Sequence, residues 1–271
     1  MNLSISNIGW EKENDEYMYC ILQKSRFSGI EIAPTRIFPI SPYENISKAY
    51  EYRELLHGYQ LEISSIQSIW FGKTENIFSS THELQELKEY TKKAILFAEA
   101  LGCKNLVFGC PKNRARNKNS QNTLADIKEF LKCLGDFAYK HNTCFSLEPN
   151  PVIYGTNFIN KTTDAFELVK EINCPGFKVN LDFGTIIENN ESLEDLDYKW
   201  INHIHLSEPG LETIKERSLH KKLIEQVIQN NYMGYISIEM KKNSISTINT
   251  VIHYLEKLSF SEKEEKDLEI L

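Results

Sequence analysis

The sequence predicts an α/β protein whose strands close into a (β/α)8 barrel, and three observations carry that prediction. Eight short β-rich runs are spaced along 271 residues, seven of them followed by a helical pattern before the next. The last four runs close on Glu148, Asp182, His205 and Glu239, separated by 34, 23 and 34 residues, the length of a strand, a helix and two loops. No Gly-x-Gly-x-x-Gly follows the first run, which counts against the rival open, doubly wound sheet.

The runs are Leu3–Ile8, Gly29–Ala33, Leu61–Gln67, Asn105–Phe108, Thr143–Glu148, Phe177–Asp182, Ile201–Leu206 and Tyr235–Met240. Between the third and fourth, Ser80-Thr81-His82-Glu83 reads as a capping box, and Gly102 suits a left-handed C-cap. Asn122 or Thr123 caps the next helix, which carries Leu124, Ile127, Leu131 and Leu134 on one face. Thr163 and Thr213 are read as further helix starts. No Pro/Ser-rich linker divides the chain, so one domain is expected over residues 1–260, followed by a charged tail at 261–271.

Strand parity points the later runs. Side chains alternate faces along a strand. Phe145 and Leu147 oppose Ser146 and Glu148; Val179 and Leu181 oppose Asn180 and Asp182; Ile236 and Ile238 oppose Ser237 and Glu239. The oily face suits outer helices, and the polar face points to the barrel axis. The acids then lie inward near the C-terminal rim, where barrel enzymes keep their chemistry.

Bulk properties narrow the partners. Hydrophobic residues make up 41% of the chain, ample for a core, and the net charge is −7, the wrong sign for tracking nucleic acid. The six cysteines show no Cys-x-x-Cys pair, no apolar run approaches a membrane span, and no signal-peptide pattern opens the chain. A soluble, cytoplasmic protein is expected, with a homo-oligomer left open.

Three carboxylates and an imidazole converging at one rim suit one divalent ion, Mn, Mg, Co or Zn. Left without a cation they would repel and their pKa values would rise. His203 shares the inward face with His205; the deeper His203 is read as a buried hydrogen-bonding residue and the rim-side His205 as the ligand. His57, His82, His141, His220 and His253 fall in helical contexts and read as surface or packing residues. Glu31 is expected to pair with Lys178 inside the barrel. Gln67 and Trp70 follow the third run, where Trp70 forms either a pocket wall or core. Lys112 or Arg114, after the fourth run, either holds a substrate phosphate or belongs to a solvated basic loop. Asn150, Tyr154 and Glu208 lie just past ligand positions and are candidates for touching substrate.

Glu-Pro-Asn at 148–150, Leu-Asp-Phe-Gly at 181–184, His-Ile-His-Leu-Ser-Glu at 203–208 and Gly-Tyr-Ile-Ser-Ile-Glu-Met at 234–240 resemble the xylose isomerase-like TIM barrels. The nearest group is the sugar phosphate isomerase/epimerase proteins, with ketose 3-epimerase and inosose dehydratase relatives, and the likeness covers nearly the whole chain. The resemblance implies one divalent metal held by Glu148, Asp182, His205 and Glu239. It also implies a sugar or sugar-phosphate substrate and proton transfer next to a carbonyl, with Glu148 and Glu239 moving the proton. The chain departs from the 3-epimerases at Thr185, Tyr154 and Leu211, which stand where that group carries a histidine, an acid and an arginine for gripping substrate. Two rival readings follow: an endonuclease IV-like metal hydrolase, which needs more rim histidines and several zinc ions, and a non-catalytic sugar-binding barrel.

Overall fold

A computed structural model describes residues 1–259; the charged tail at 261–271 lies outside the described residues. Eight parallel strands pair in sequence order and close on themselves: β1 (Asn2–Ser6), β2 (Phe27–Ile32), β3 (Glu62–Ile66), β4 (Leu106–Phe108), β5 (Phe145–Leu147), β6 (Phe177–Asp182), β7 (Ile201–Ser207) and β8 (Tyr235–Glu239). Closure is made by β1, whose Leu3 lies beside Phe27 of β2 and Ile236 of β8. Around them run α1 (Asp15–Gln23), α2 (Pro34–Ile37), α3 (Ile46–Gly58), α4 (Thr81–Leu101), α5 (Leu124–Lys140), α6 (Thr162–Ile172), α7 (Phe183–Asn189), α8 (Ser218–Gln229) and α9 (Ile245–Ser259). Among the described residues, no helix is long and apolar enough to cross a membrane.

The helix ends show which local signals decide. Ser80 caps α4 by accepting from the Glu83 amide, and Gly102 ends it at φ 72°. The predicted box is only half made, because the Glu83 carboxylate turns to the Asn76 amide and the Ser79 hydroxyl. Thr123, not Asn122, caps α5, with Asp126 completing a reciprocal box. Asn122 instead donates to the carbonyls of Ile77 and Ser80, tying two loops together.

Two predicted starts are corrected. Helix α6 begins at Thr162, so Thr163 is already helical, and Glu191 accepts the Thr162 amide in place of a local cap. Helix α8 begins at Ser218 rather than after Thr213. Glu208 explains the delay: it accepts from the Lys215 amide and grips Arg217, drawing that segment toward the barrel before a helix can form.

The apolar strand residues, Ile5, Ile30, Leu106, Phe145, Leu181, Ile204 and Ile238 among them, are fully buried in the core shared with the helices. Burial of this kind contributes about 25 cal/mol per Å² of apolar surface and drives the assembly. The barrel axis is a different medium. Barrel interiors are usually filled with layers of branched apolar side chains. Here Ser4, Ser64 and Ser237 meet through their hydroxyls, with Ser4 and Ser64 oxygens 2.6 Å apart. Above them Gln67 donates to Ser6 at 2.6 Å and to Glu31 at 3.2 Å. Asn105 donates to Ser65 at 2.9 Å and accepts from Ser146 at 2.6 Å. These groups are buried and satisfied by one another, as a polar core requires.

Candidate metal centre

Four strand ends deliver one cluster. Asp182 ends β6 opposite His205 of β7, and Ser207 of β7 lies opposite Glu239 of β8. Glu148 follows β5, and its backbone amide bonds the Phe108 carbonyl of β4. One acceptor atom each from Glu148, Asp182, His205 and Glu239 lies within 4.8 Å of all the others. All four residues are at least nine-tenths buried. They sit at the C-terminal mouth of the barrel, and the three carboxylates line a cavity of ≈ 190 Å³.

The imidazole is aimed. His205 Nδ1 faces Glu148 at 2.8 Å and Glu239 at 3.2 Å, while Nε2 meets the Glu31 carboxylate at 2.8 Å. With a proton on Nε2 shared toward Glu31, Nδ1 presents its lone pair to the cluster; a carboxylate behind a ligating histidine sets the tautomer in this way. The expected Glu31–Lys178 pair does not form. Glu31 is fully buried among His203, His205 and Gln67, whereas Lys178 lines a separate open groove with Tyr198 and Asn202. His203 Nε2 is 3.4 Å from the same Glu31 oxygen, too poorly aligned for a hydrogen bond. Glu31, His203 and His205 thus form a second acceptor-rich group, sealed beneath the first and away from the cavity.

Two of the three carboxylates are held by donors. Asp182 accepts from the Ser207 hydroxyl on one oxygen and from the Thr185 amide, at 2.8 Å, on the other. Glu148 accepts from Asn180 at 3.0 Å and from Asn150 at 3.0 Å, one on each oxygen. A Cβ at position 109 would come within 2.6 Å of that carboxylate and push it from its place.

Burial and mutual repulsion set the electrostatics of the cluster. Burial raises Asp182, and the neighbouring Glu148 adds to the rise. Burial carries Glu239 up to about 7, although His205 pulls the other way. Burial opposes a charge on His205, yet Glu239, Glu31 and Glu148 together lift it well above the usual imidazole value. Glu31 goes the other way: burial works against its charge, and the two histidines still hold it well below the carboxylate range. Three buried acids and one aimed imidazole, converging within 4.8 Å, are a donor set that fits one divalent ion.

Of the other candidates, Gln67, Asn150, Tyr154 and Glu208 line the cavity. Glu208 is bound by Arg217 through both oxygens, with Nε at 2.7 Å. The Tyr154 hydroxyl accepts from the Gly210 amide at 2.8 Å. Trp70 does not form a pocket wall: it is buried, donates to Thr91 at 2.8 Å and packs on Phe108 and Phe130. Lys112 is exposed and does not line the cavity. Arg114 is fully buried rather than loop-solvated; Nη2 donates to the Glu148 carbonyl at 2.7 Å and to Asn150 at 2.5 Å, under the Phe108 ring. Burial lowers it to about 10 despite the pull of Glu148.

Sequence reading passed over Asn180, Ser207 and the buttress formed by Arg114 on Asn150. Parity could have found the first two, which lie two residues from Asp182 and His205 on the same inward faces. His57, His82 and His253 are exposed, as expected, and His220 packs on Phe183 with burial pushing it to about 4.

Three non-glycine residues on the cavity rim adopt left-handed backbone: Ser68 at φ 53°, Cys110 at φ 43° and Leu211 at φ 55°. Such conformations cost of order 1–3 kcal/mol each and persist where surrounding structure enforces them. They come from the loops after β3, β4 and β7.

A closed parallel barrel with an acidic cluster and strained loops at its C-terminal mouth is the architecture in which α/β-barrel enzymes carry their chemistry. The chain belongs to the xylose isomerase-like TIM barrel family, whose model matches residues 22–259. Comparison with curated protein sequences gives no match. Among solved structures it is similar to 3-keto-D-glucoside 4-epimerase from E. coli, at 18% identity and TM-score 0.74, covering 95% of this chain and 98% of that one. It is similar to D-psicose 3-epimerase, at 17% identity and TM-score 0.72, covering 93% and 89%. It is also similar to an AP endonuclease, family 2, from Brucella melitensis, at 18% identity and TM-score 0.71, covering 92% and 96%.

Proposed function

We propose that this chain is a metal-dependent isomerase or epimerase that moves a proton on the carbon beside the carbonyl of a sugar. The convergence of Glu148, Asp182, His205 and Glu239 within 4.8 Å at the cavity floor carries the reading. Those four residues would hold one divalent ion. When bound, it would supply Lewis-acid polarisation of the carbonyl and offset the negative charge that develops as the proton leaves.

The side chains divide the remaining work. Glu148 and Glu239 arrive from strands on different sides of the barrel and both face the cavity, so one can accept a proton from carbon while the other donates one. Their surroundings differ: the Arg114–Asn150 buttress backs Glu148, whereas among the described residues no guanidinium stands behind Glu239. One of the pair takes the proton from carbon and the other returns it, in the order set by the face of the sugar presented. Asn150, Gln67 and Ser207 offer polar groups for sugar hydroxyls, and the buried cluster limits stray water. The similarity in fold to 3-keto-D-glucoside 4-epimerase and D-psicose 3-epimerase agrees with this reading. The rival hydrolase gains little, because the second acceptor group is sealed from the cavity.

The test is deuterium uptake from heavy water. Protein loaded with Mn²⁺, Mg²⁺ or Co²⁺ is incubated with a panel of ketoses, and carbon-bound deuterium is read by mass spectrometry. Wash-in at one position is expected, with one equivalent of metal per chain. Full metal occupancy with no exchange into any ketose would remove the proposal; two or more tightly held zinc ions would favour the hydrolase.

A further inference from the structure

We infer that the substrate is electrically neutral, a hydroxy ketone carrying no phosphate or carboxylate group; the inference rests on the proton-transfer reading above and narrows it. Four acids line the cavity, Glu148, Asp182, Glu239 and Glu208, and among the described lining residues there is no lysine, arginine or histidine. Arg217 answers Glu208 through two hydrogen bonds. One divalent ion would leave the other three acids with a net charge of −1 before any substrate arrives.

The basic side chains of the surrounding loops lie outside the lining, and most of them have partners elsewhere. Lys112 is exposed and outside the lining. Arg114 is pinned behind Glu148, on its carbonyl and on Asn150, and is also outside the lining. Arg116 stacks over Phe78, and Lys241 pairs with Glu212. The rest of the wall includes Val107, Cys110, Pro111 and Leu211, which offer nothing to an anion. Leu211 is not free to yield its place: its backbone is left-handed, at φ 55°, and its carbonyl accepts from the Lys241 amide at 2.7 Å. A phosphate dianion here would lose its hydration, find no cationic partner and face like charge in a partly desolvated site. Neutral hydroxyls have Gln67, Asn150 and Ser207 within the same cavity.

The experiment titrates Mn²⁺-loaded protein calorimetrically with neutral ketohexoses, D-tagatose and D-psicose among them, and with the 1- and 6-phosphates of each. At least one neutral sugar is expected to bind, with its phosphate esters weaker by about 30-fold or more, the effect of one unanswered charge beside buried acids. In Leu211→Arg the gap is expected to shrink by about tenfold, while manganese affinity, measured in the same preparation, reports that the site is intact. A phosphate ester that binds as tightly as its parent sugar, or an unchanged gap in L211R, overturns the neutral-substrate inference and leaves the isomerase reading standing. If no sugar of either kind binds and no deuterium exchange occurs, the isomerase reading fails first and this inference falls with it.

Discussion

The two halves of the barrel do different work. Strands β5 to β8 deliver every member of the acidic cluster, while β1 to β4 and their loops deliver the groups that aim it: Ser6, Glu31, Gln67, Gly109 and Arg114. Glu31 of β2 reaches across the axis to His205 of β7, and Arg114 after β4 reaches Asn150 after β5. The lesson is that the four converging residues alone do not define the cluster. Asp182 and Glu148 are held by donors of their own half, while His205 and Asn150 are fixed from the opposite half, through hydrogen bonds buried from water.

The largest effects are expected at the proposed ligands. Replacing His205 by Ala, or Asp182 by Asn, should weaken manganese binding by roughly 10³-fold or more and abolish deuterium wash-in, since each removes a ligand from a site with few. Calorimetry on the folded variants checks it. Next comes the supporting half: Glu31→Gln should cost roughly 10–100-fold in metal affinity, the range found when the group behind a ligating histidine is removed. An unchanged affinity would reduce β1 to β4 to mere scaffolding.

The two halves also respond to pH with opposite sign. Glu239 lies at about 7 in the folded, metal-free protein against 4.5 unfolded, and Asp182 and His205 are raised as well. A raised folded value means stability that is complete below the unfolded pKa and lost as pH climbs through the folded one. Glu31 has the opposite sign, since its value is lowered; its contribution is lost only as pH falls below the usual carboxylate range. The metal-free protein should therefore lose thermal stability from about pH 5 to pH 8. Saturating Mn²⁺, which displaces those protons, should flatten the decline. Parallel melting curves with and without metal test it, and identical slopes would refute it.

Smaller effects follow at the loops. Arg114→Met should lower kcat by about tenfold with KM within about threefold, because Glu148 is less well placed while the cavity keeps its lining. Its stability should change by no more than about 1 kcal/mol, since an apolar side chain of similar size replaces a buried charge whose Nε and Nη1 lack partners. Lys112→Ala should change neither activity nor stability beyond about 0.5 kcal/mol, as expected of an exposed side chain off the cavity.

The same division explains what the sequence disclosed. Barrel closure and the four convergent residues were legible because each lies at the end of a run whose parity is written in alternating oily and polar letters. Thr123 and Gly102 were legible because capping is local. Glu31, Arg114 and Trp70 were not, because what decides each is a partner far along the chain: Glu31 and His205 are 174 residues apart. A Lys–Glu pair was the natural local guess for Glu31, yet Lys178 sits nearer the opposite end of its strand. Trp70 follows a strand end, as pocket residues do, but a Thr91 hydroxyl one helix away claims its indole.

The serine-lined axis has a consequence for how the cylinder is assembled. Greasy layers tolerate slippage, since one methyl group substitutes for another. Ser4, Ser64 and Ser237 must meet at fixed heights, and Asn105 must find Ser65 and Ser146 at once. A strand shifted along its neighbour would strand these hydroxyls and amides without mates, in a place water reaches poorly. The interior therefore works as a vernier that admits a single alignment of the staves, and it is that alignment which brings four distant carboxyl and imidazole tips to a common level.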